Sequence, residues 1–170
     1  SAASDVYKRQ GKCIMINIIV ATDEDLLIGK KDSRNGMPWN VPEDLQHFKA
    51  TTLNKTILMG LTTYQAIGRP LPNRKTIVVS FEPFEDERVE VRSSLEEVIE
   101  EYRSSGEDLF ISGGASIYKQ CLPIADQLLI SRIPGKHEGE TYFPNFDEYG
   151  YKLVAQKPFE TFTLETYKRG

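Results

Sequence analysis

Little in this chain can hold a metal or staple a fold: 170 residues contain two cysteines, Cys13 and Cys121, and two histidines, His47 and His137. The cysteines have no metal-type spacing and are too few for a disulfide framework, so a reducing cytoplasm is the expected compartment. The histidines stand far apart with no Cys or His beside them, so no metal site is expected. No apolar run approaches the roughly 18 residues that span a bilayer, and no membrane partner is expected. Basic charge is short as well. With 21 Lys and Arg against 25 Asp and Glu, the net charge of -4 is a poor match to nucleic acid, although it leaves room for one local basic pocket. Residues 1–14 lack a signal peptide's apolar core. They are expected to be an unstructured or appended extension, with Met15 as the natural start of a domain over 15–170.

What is present suits one globular domain, expected to be a monomer: 39% of residues are hydrophobic and 27% charged, enough to bury a real core. Met15 to Ala21 is a nearly continuous apolar run, the pattern of a central strand covered on both faces. A polar loop from Asp23 to Val41 follows, interrupted by Leu26-Leu27-Ile28-Gly29; loops of that length are usually functional lids or disordered. Pro42 suits the first position of a helix to about Thr51, with Glu43 and Asp44 near its positive end. Strands are predicted at Thr56–Met59, Thr76–Ser80, Val89–Val91, Leu109–Ser112, Gln127–Ile133, Tyr151–Gln156 and Phe162–Tyr167. Helices are predicted over Leu61–Ile67, from a capping box at Ser94 to about Ser104, and from Gly113-Gly114 to near Leu122. The alternation predicts an α/β fold: a mainly parallel sheet of about eight strands, helices on both faces, and an antiparallel C-terminal edge.

In parallel sheets, ligands gather at the carboxyl ends of the strands. Here those ends carry Gly60-Leu61-Thr62-Thr63, Ser80-Phe81 and Gly113-Gly114-Ala115-Ser116. Two of them run straight into helices, where backbone amides suit phosphate and Thr62 and Thr63 add hydroxyl donors. One alone reads as an ordinary turn, but the pair favours a dinucleotide. Asp44 poses a second question. Positions 44 and 48 share a helix face, as do 45 and 48, so the face that buries Leu45 and Phe48 should carry Asp44 inward. A buried carboxylate needs strong partners or it neutralises. The helix by itself leaves a first-turn structural acid as the commoner reading and a functional group as the other.

Four stretches taken together are more specific: Gly36-Met37-Pro38-Trp39-Asn40-Val41-Pro42-Glu43-Asp44-Leu45, Leu58-Met59-Gly60, Ile67-Gly68-Arg69-Pro70-Leu71-Pro72-Asn73-Arg74 and Ile111-Ser112-Gly113-Gly114. In order and spacing, from Met15 to about Lys168, they resemble bacterial-type dihydrofolate reductase. The resemblance implies reduction of 7,8-dihydrofolate to 5,6,7,8-tetrahydrofolate by hydride from NADPH, with antifolates as further ligands. Asp44 matches the family's acid, a carboxylate that pairs bidentately with a ring nitrogen and exocyclic amine of the pterin. That contact fixes the ring over the nicotinamide and favours protonation of the ring imine through water. Trp39 matches a tryptophan whose indole N–H holds an ordered water near the acid. Ser131 stands where a hydroxyl usually supports the carboxylate.

Other positions carry over singly. Ile19, Ala21, Leu45, Phe48 and Leu71 match the apolar walls around the pterin and benzoyl groups; without the match each reads as plain core. Arg74 resembles the arginine that grips the substrate's glutamate carboxylate, a task for a planar fork, where the bland reading is a solvated turn arginine. Met37 and the loop before it match a mobile lid over the nicotinamide, with Ala21 and Ile28 also on the cofactor side. Gly113-Gly114 matches a glycine pair that adopts a cis peptide, and Tyr118 follows near the cofactor. Thr141 and Tyr142-Phe143-Pro144 fit the family's late segment.

The departures cluster. Leu61 stands where the family usually has an arginine for the adenosine 2′-phosphate, Phe81 and Glu82 replace hydroxyl and amide residues, and Ser116 replaces a basic one. Losing a charge-assisted contact costs roughly 1.5–3 kcal/mol. NADH tolerance is therefore expected, with the NADPH preference weakened but not reversed, since Lys75 or Arg69 can compensate. Ser112 is smaller and more polar than the family's usual residue beside the substrate ring. Two rivals are a ribosylaminopyrimidine reductase of the same fold, which should lack the Pro-Trp and Glu-Asp pairing, and a non-catalytic nucleotide-binding module, which needs neither lid nor Asp44.

Overall fold

Strand β1 (Ile16–Thr22) is buried at all but one of its residues, as a strand flanked on both sides and covered on both faces must be. The computed structural model describes residues 16–31, 33 and 36–169; the expected extension, Cys13 and the start at Met15 lie outside them. After β1 come β2 (Leu27–Gly29), α1 (Pro42–Thr52), β3 (Thr56–Gly60), α2 (Leu61–Ile67), β4 (Lys75–Val79) and β5 (Glu90–Arg92). Then follow α3 (Leu95–Ser105), β6 (Leu109–Ile111), α4 (Ala115–Cys121), β7 (Gln127–Arg132), β8 (Thr141–Tyr142), β9 (Tyr151–Pro158) and β10 (Thr163–Arg169).

Eight strands form one sheet in the order β5-β4-β3-β6-β1-β7-β10-β9. The pairings from β5 to β7 are parallel, and β10 joins β7 and β9 antiparallel. This is the expected α/β architecture with its antiparallel edge. One face packs against α3 and α4 through Leu95, Val98, Tyr102, Ile117 and Cys121. The other packs against α1 and α2 through Phe48, Tyr64 and Ile67, with Leu71 beside them. Ser94 caps α3 by accepting from the Glu97 N–H, and Gly106 at φ 81 ends it, a left-handed stop that glycine adopts without strain.

Two expectations need correction. Leu27–Gly29, read as an apolar interruption of a loop, is a strand that pairs antiparallel with β8. Its partner lies so far along the chain that local patterning could not reveal it. At Gly139 a side chain would run into the Gly29 carbonyl, which is why that crossing takes glycine. Leu45, expected inward, is 48% exposed. The inward face of α1 is Asp44, Phe48 and Thr52, spaced by four, with Leu45 turned a quarter-turn aside.

Candidate active site

The carboxyl ends of the central strands finish level because the ladder continues past them. The Gly60 N–H donates to the Gly113 carbonyl at 2.9 Å and the Ser112 N–H to the Leu58 carbonyl at 2.8 Å, while Ala21 lies opposite Ser131 across β1 and β7. Over this edge opens a cleft of about 1120 Å³. All the residues expected to touch the cofactor lie on its wall: Ala21, Ile28 and Met37, then Gly60 to Thr63, Ser80, Phe81, Gly113 to Ser116, and Tyr118. Ser112 lines it too. Sequence reasoning missed Lys30, Lys31, Ala66, Ile117 and Glu140, which also line it. The two lysines lie in the loop before Met37, which was read for its length and for its likeness to a lid but not for its charge.

The two glycine turns are packed against each other. A Cβ at Gly114 would sit 3.0 Å from Thr63 Oγ1, and one at Gly60 would sit 3.2 Å from Ile117 Cγ1. Small residues at both places leave the cleft floor to backbone and hydroxyl groups. The Gly113–Gly114 peptide is cis. Tyr118, buried on α4, donates its hydroxyl to the Ile19 carbonyl at 2.9 Å. Burial holds its phenol well above the ordinary range, so it remains a donor.

Asp44 is 9% exposed, on the first turn of α1. Burial pushes its carboxyl above the ordinary range, opposed by the Ser131 hydroxyl that donates to it and by the positive form of His47. Ser131, from β7, is itself buried. Trp39 Nε1 is buried and has no protein acceptor. Ile19, Phe48 and Leu71 share one apolar cluster. Arg74 donates from Nε to Thr52 Oγ1 at 2.8 Å and from its terminal nitrogens to the Pro72 and Lys49 carbonyls, which parks the guanidinium at the C-terminal end of α1. None of Asp44, Trp39, Leu45, Phe48, Leu71 and Arg74 is on the cleft wall. The expected residues thus form two groups, linked where Ala21 of the cleft wall lies opposite Ser131, the partner of Asp44.

Two more residues support α1. Glu43 accepts from the Thr161 N–H at 2.8 Å and the Thr161 hydroxyl at 2.7 Å, which ties the helix start to the β9–β10 turn. Those bonds hold its carboxyl below the ordinary range. His47 packs with Phe159 and Phe162, ring centroids 5.7 Å away in each case. Burial lowers its pKa, with Asp44 pulling the other way. Its place three residues after Asp44 was the available signal. Among the described residues no cluster of three or more His, Cys, Asp or Glu is placed to hold a metal, and no helix is long and apolar enough to cross a membrane.

Comparison with known proteins agrees across nearly the whole chain. A sequence model of the dihydrofolate reductase family matches residues 15–169. The dihydrofolate reductase of Bacillus subtilis is 44% identical over 144 residues, covering 84% of this chain and 83% of that protein. Dihydrofolate reductase type 3 of Salmonella typhimurium is 40% identical over 144 residues, covering 84% and 86%. The solved structure of dihydrofolate reductase from Enterococcus faecalis, complexed with NADP(H) and RAB-propyl, superposes with a TM-score of 0.85 at 34% identity and covers 92% of this chain and 96% of that one. The chain belongs to the dihydrofolate reductase family of NADP-dependent oxidoreductases.

Proposed function

We propose that this protein reduces 7,8-dihydrofolate to 5,6,7,8-tetrahydrofolate with NADPH. The observation that carries the reading is a buried carboxylate, Asp44, joined through Ser131 and its strand neighbour Ala21 to a cleft larger than the roughly 300–1,000 Å³ of ordinary small-molecule pockets. The cleft wall fits the cofactor: glycine turns with no room for side chains, the hydroxyls of Thr62, Thr63, Ser80 and Ser116, and the apolar Ala21, Ile28 and Met37. When bound there, NADPH supplies the hydride.

Asp44 accepts two N–H bonds from the pterin and so orients and polarises the ring. The Ser131 hydroxyl helps keep it ionised against burial. A water on the Trp39 N–H delivers the proton to the ring nitrogen while hydride adds to the adjoining carbon; the unpartnered Nε1 supports that assignment. Ile19, Ala21, Phe48 and Leu71, with Ser112 at the ring, form the pocket walls. Leu45 is the exposed lip that substrate covers, and Arg74, held by α1, meets the glutamate carboxylate. Absorbance at the nicotinamide band with dihydrofolate tests the reading on wild type and Asp44→Asn across pH. Nearly full activity of Asp44→Asn at neutral pH would overturn it.

At the adenosine end the phosphate contacts are thin. Lys75 and Arg69 are not on the cleft wall, and Lys75 Nζ is 3.3 Å from Glu90 instead. Among the described residues, the cations that line the cleft are Lys30 and Lys31, from the lid. A weakened preference for NADPH over NADH follows, because Glu82 repels a 2′-phosphate and suits a free 2′-hydroxyl. A preference of a thousandfold or more in steady-state kinetics sinks that part.

A further inference from the structure

The indole of Trp39 has no protein acceptor for its buried N–H, so ring packing must set its orientation. The ring against it is His137, at 5.2 Å between centroids and 68° between planes. His137 belongs to the loop between β7 and β8, far from Trp39 in sequence, and its position is not left to chance. Asp23, at the end of β1, has a side chain only 1% exposed. One of its oxygens accepts from the backbone N–H groups of Asp25 at 2.8 Å and Leu27 at 3.0 Å, and the other from the backbone N–H of His137 at 2.9 Å. That second oxygen also lies 3.6 Å from His137 Nδ1, a buried nitrogen with no hydrogen-bond partner.

One carboxylate therefore joins three segments: the turn after β1, the β7–β8 loop and, through the imidazole, the lid. Burial alone would push the Asp23 carboxyl up, but the three backbone donors and the neighbouring His137 hold it below the ordinary range. It is an anion at neutral pH, and an anion beside Nδ1 keeps the ring turned toward it.

We propose that His137 is a positioning residue for the reduction: tethered by Asp23, its ring fixes the indole of Trp39 and hence the N–H assigned to the proton-delivering water. This rests on the reading of Trp39 given above. It adds what that reading lacked, a physical cause for the indole's orientation.

The test uses the fact that Trp39 is the chain's single tryptophan, so intrinsic emission reports this indole alone. In His137→Ala, emission should shift to the red and acrylamide quenching should rise by about twofold, as expected of an indole released from edge packing. The isotope-sensitive hydride step should fall by about tenfold, with KM for both substrates within about twofold. His137→Phe, which keeps an aromatic edge, should restore emission and rate, whereas His137→Leu, which keeps bulk alone, should not. The Phe and Leu pair carries the comparison if the alanine variant does not fold. Unchanged emission in His137→Leu and His137→Ala overturns the proposal, as does a loss confined to KM or a failure of Phe to restore a folded enzyme. The emission arm needs no substrate, so a wild type unable to reduce dihydrofolate counts against the functional reading, and an unchanged emission counts against His137.

Discussion

At one end of the site a single charge is surrounded with care. Asp44 is buried, a hydroxyl from a neighbouring strand donates to it, and the helix that carries it is tied at its start through Glu43. At the other end Phe81 is 75% exposed, Glu82 stands open to solvent, and Leu61 packs against the apolar cluster of Ile19 and Tyr64. The difference follows what each end must do. A group that acts on the reacting ring must be placed before substrate arrives, in surroundings of low dielectric, because misplacement there reduces rate directly. A group that only adds affinity for a remote phosphate sits in water, where its loss is tolerable and other cations can share the task. On the proposed reading, polar precision is concentrated near the chemistry.

Asp44→Asn should break this contrast most severely. Removing the carboxylate should lower kcat/KM for dihydrofolate by about a hundredfold or more, read by absorbance. The same change should make the ligand-free protein more stable at neutral pH. The folded carboxyl has a raised pKa, so its stability is complete below the unfolded value and is lost as pH climbs through the folded one. Where the carboxyl is ionised, wild type carries a charge that burial disfavours, and asparagine relieves it by about 1 kcal/mol, roughly 2–4 °C in Tm. A melting curve at pH 7 and again near pH 4 checks the sign, because the gain should shrink in acid. Loss of activity with loss of stability would mean that Asp44 is a structural acid.

That double expectation shows what was legible in the sequence. The sheet, its order of helices and the glycine turns follow from local signals, since apolar runs, caps and small residues act through near neighbours. That the strand-end residues share one cleft was legible for the same reason. What escaped depends on distant pairing. The β2–β8 ribbon, the tie from Glu43 to Thr161 and the carboxylate link from Asp23 to His137 each join segments on the order of a hundred residues apart, and neither partner is unusual by itself. Leu45 was misjudged for a different reason. A helix turns about 100° per residue, so the face that buries Asp44 leaves Leu45 toward solvent.

Leu61→Arg should sharpen the contrast by repairing the weak end. A charge-assisted phosphate contact contributes roughly 1.5–3 kcal/mol, so the ratio of kcat/KM for NADPH over NADH should rise by about ten- to a hundredfold. The gain should fade with added salt, because the partners lie in an exposed site. An equal improvement with both cofactors would show that the arginine meets the pyrophosphate instead. Ser131→Ala should have a smaller effect, about three- to tenfold on kcat/KM near neutral pH. Without the donated hydroxyl Asp44 loses an interaction that lowers its pKa, so binding of dihydrofolate should begin to fail at a higher pH on acidification. A pH profile that does not move would detach Ser131 from the acid.

Ser112→Ile should produce the smallest change, and it asks whether the finished end is finished throughout. Ser112 donates its hydroxyl to the Leu58 carbonyl at 3.2 Å, and its backbone N–H already reaches the same carbonyl at 2.8 Å. Losing the hydroxyl therefore leaves no buried acceptor unpaired, which keeps the cost to the fold low. Added methyl groups at the cleft border should instead pack against a ring bound there. An antifolate should then bind about fivefold more tightly, at the lower limit of what a methylene contributes in an apolar pocket, while kcat stays within about twofold. Inhibition constants for the two proteins decide it. Unchanged affinity would place the Ser112 side chain away from the ring and confine the apolar wall to Ile19, Ala21, Phe48 and Leu71.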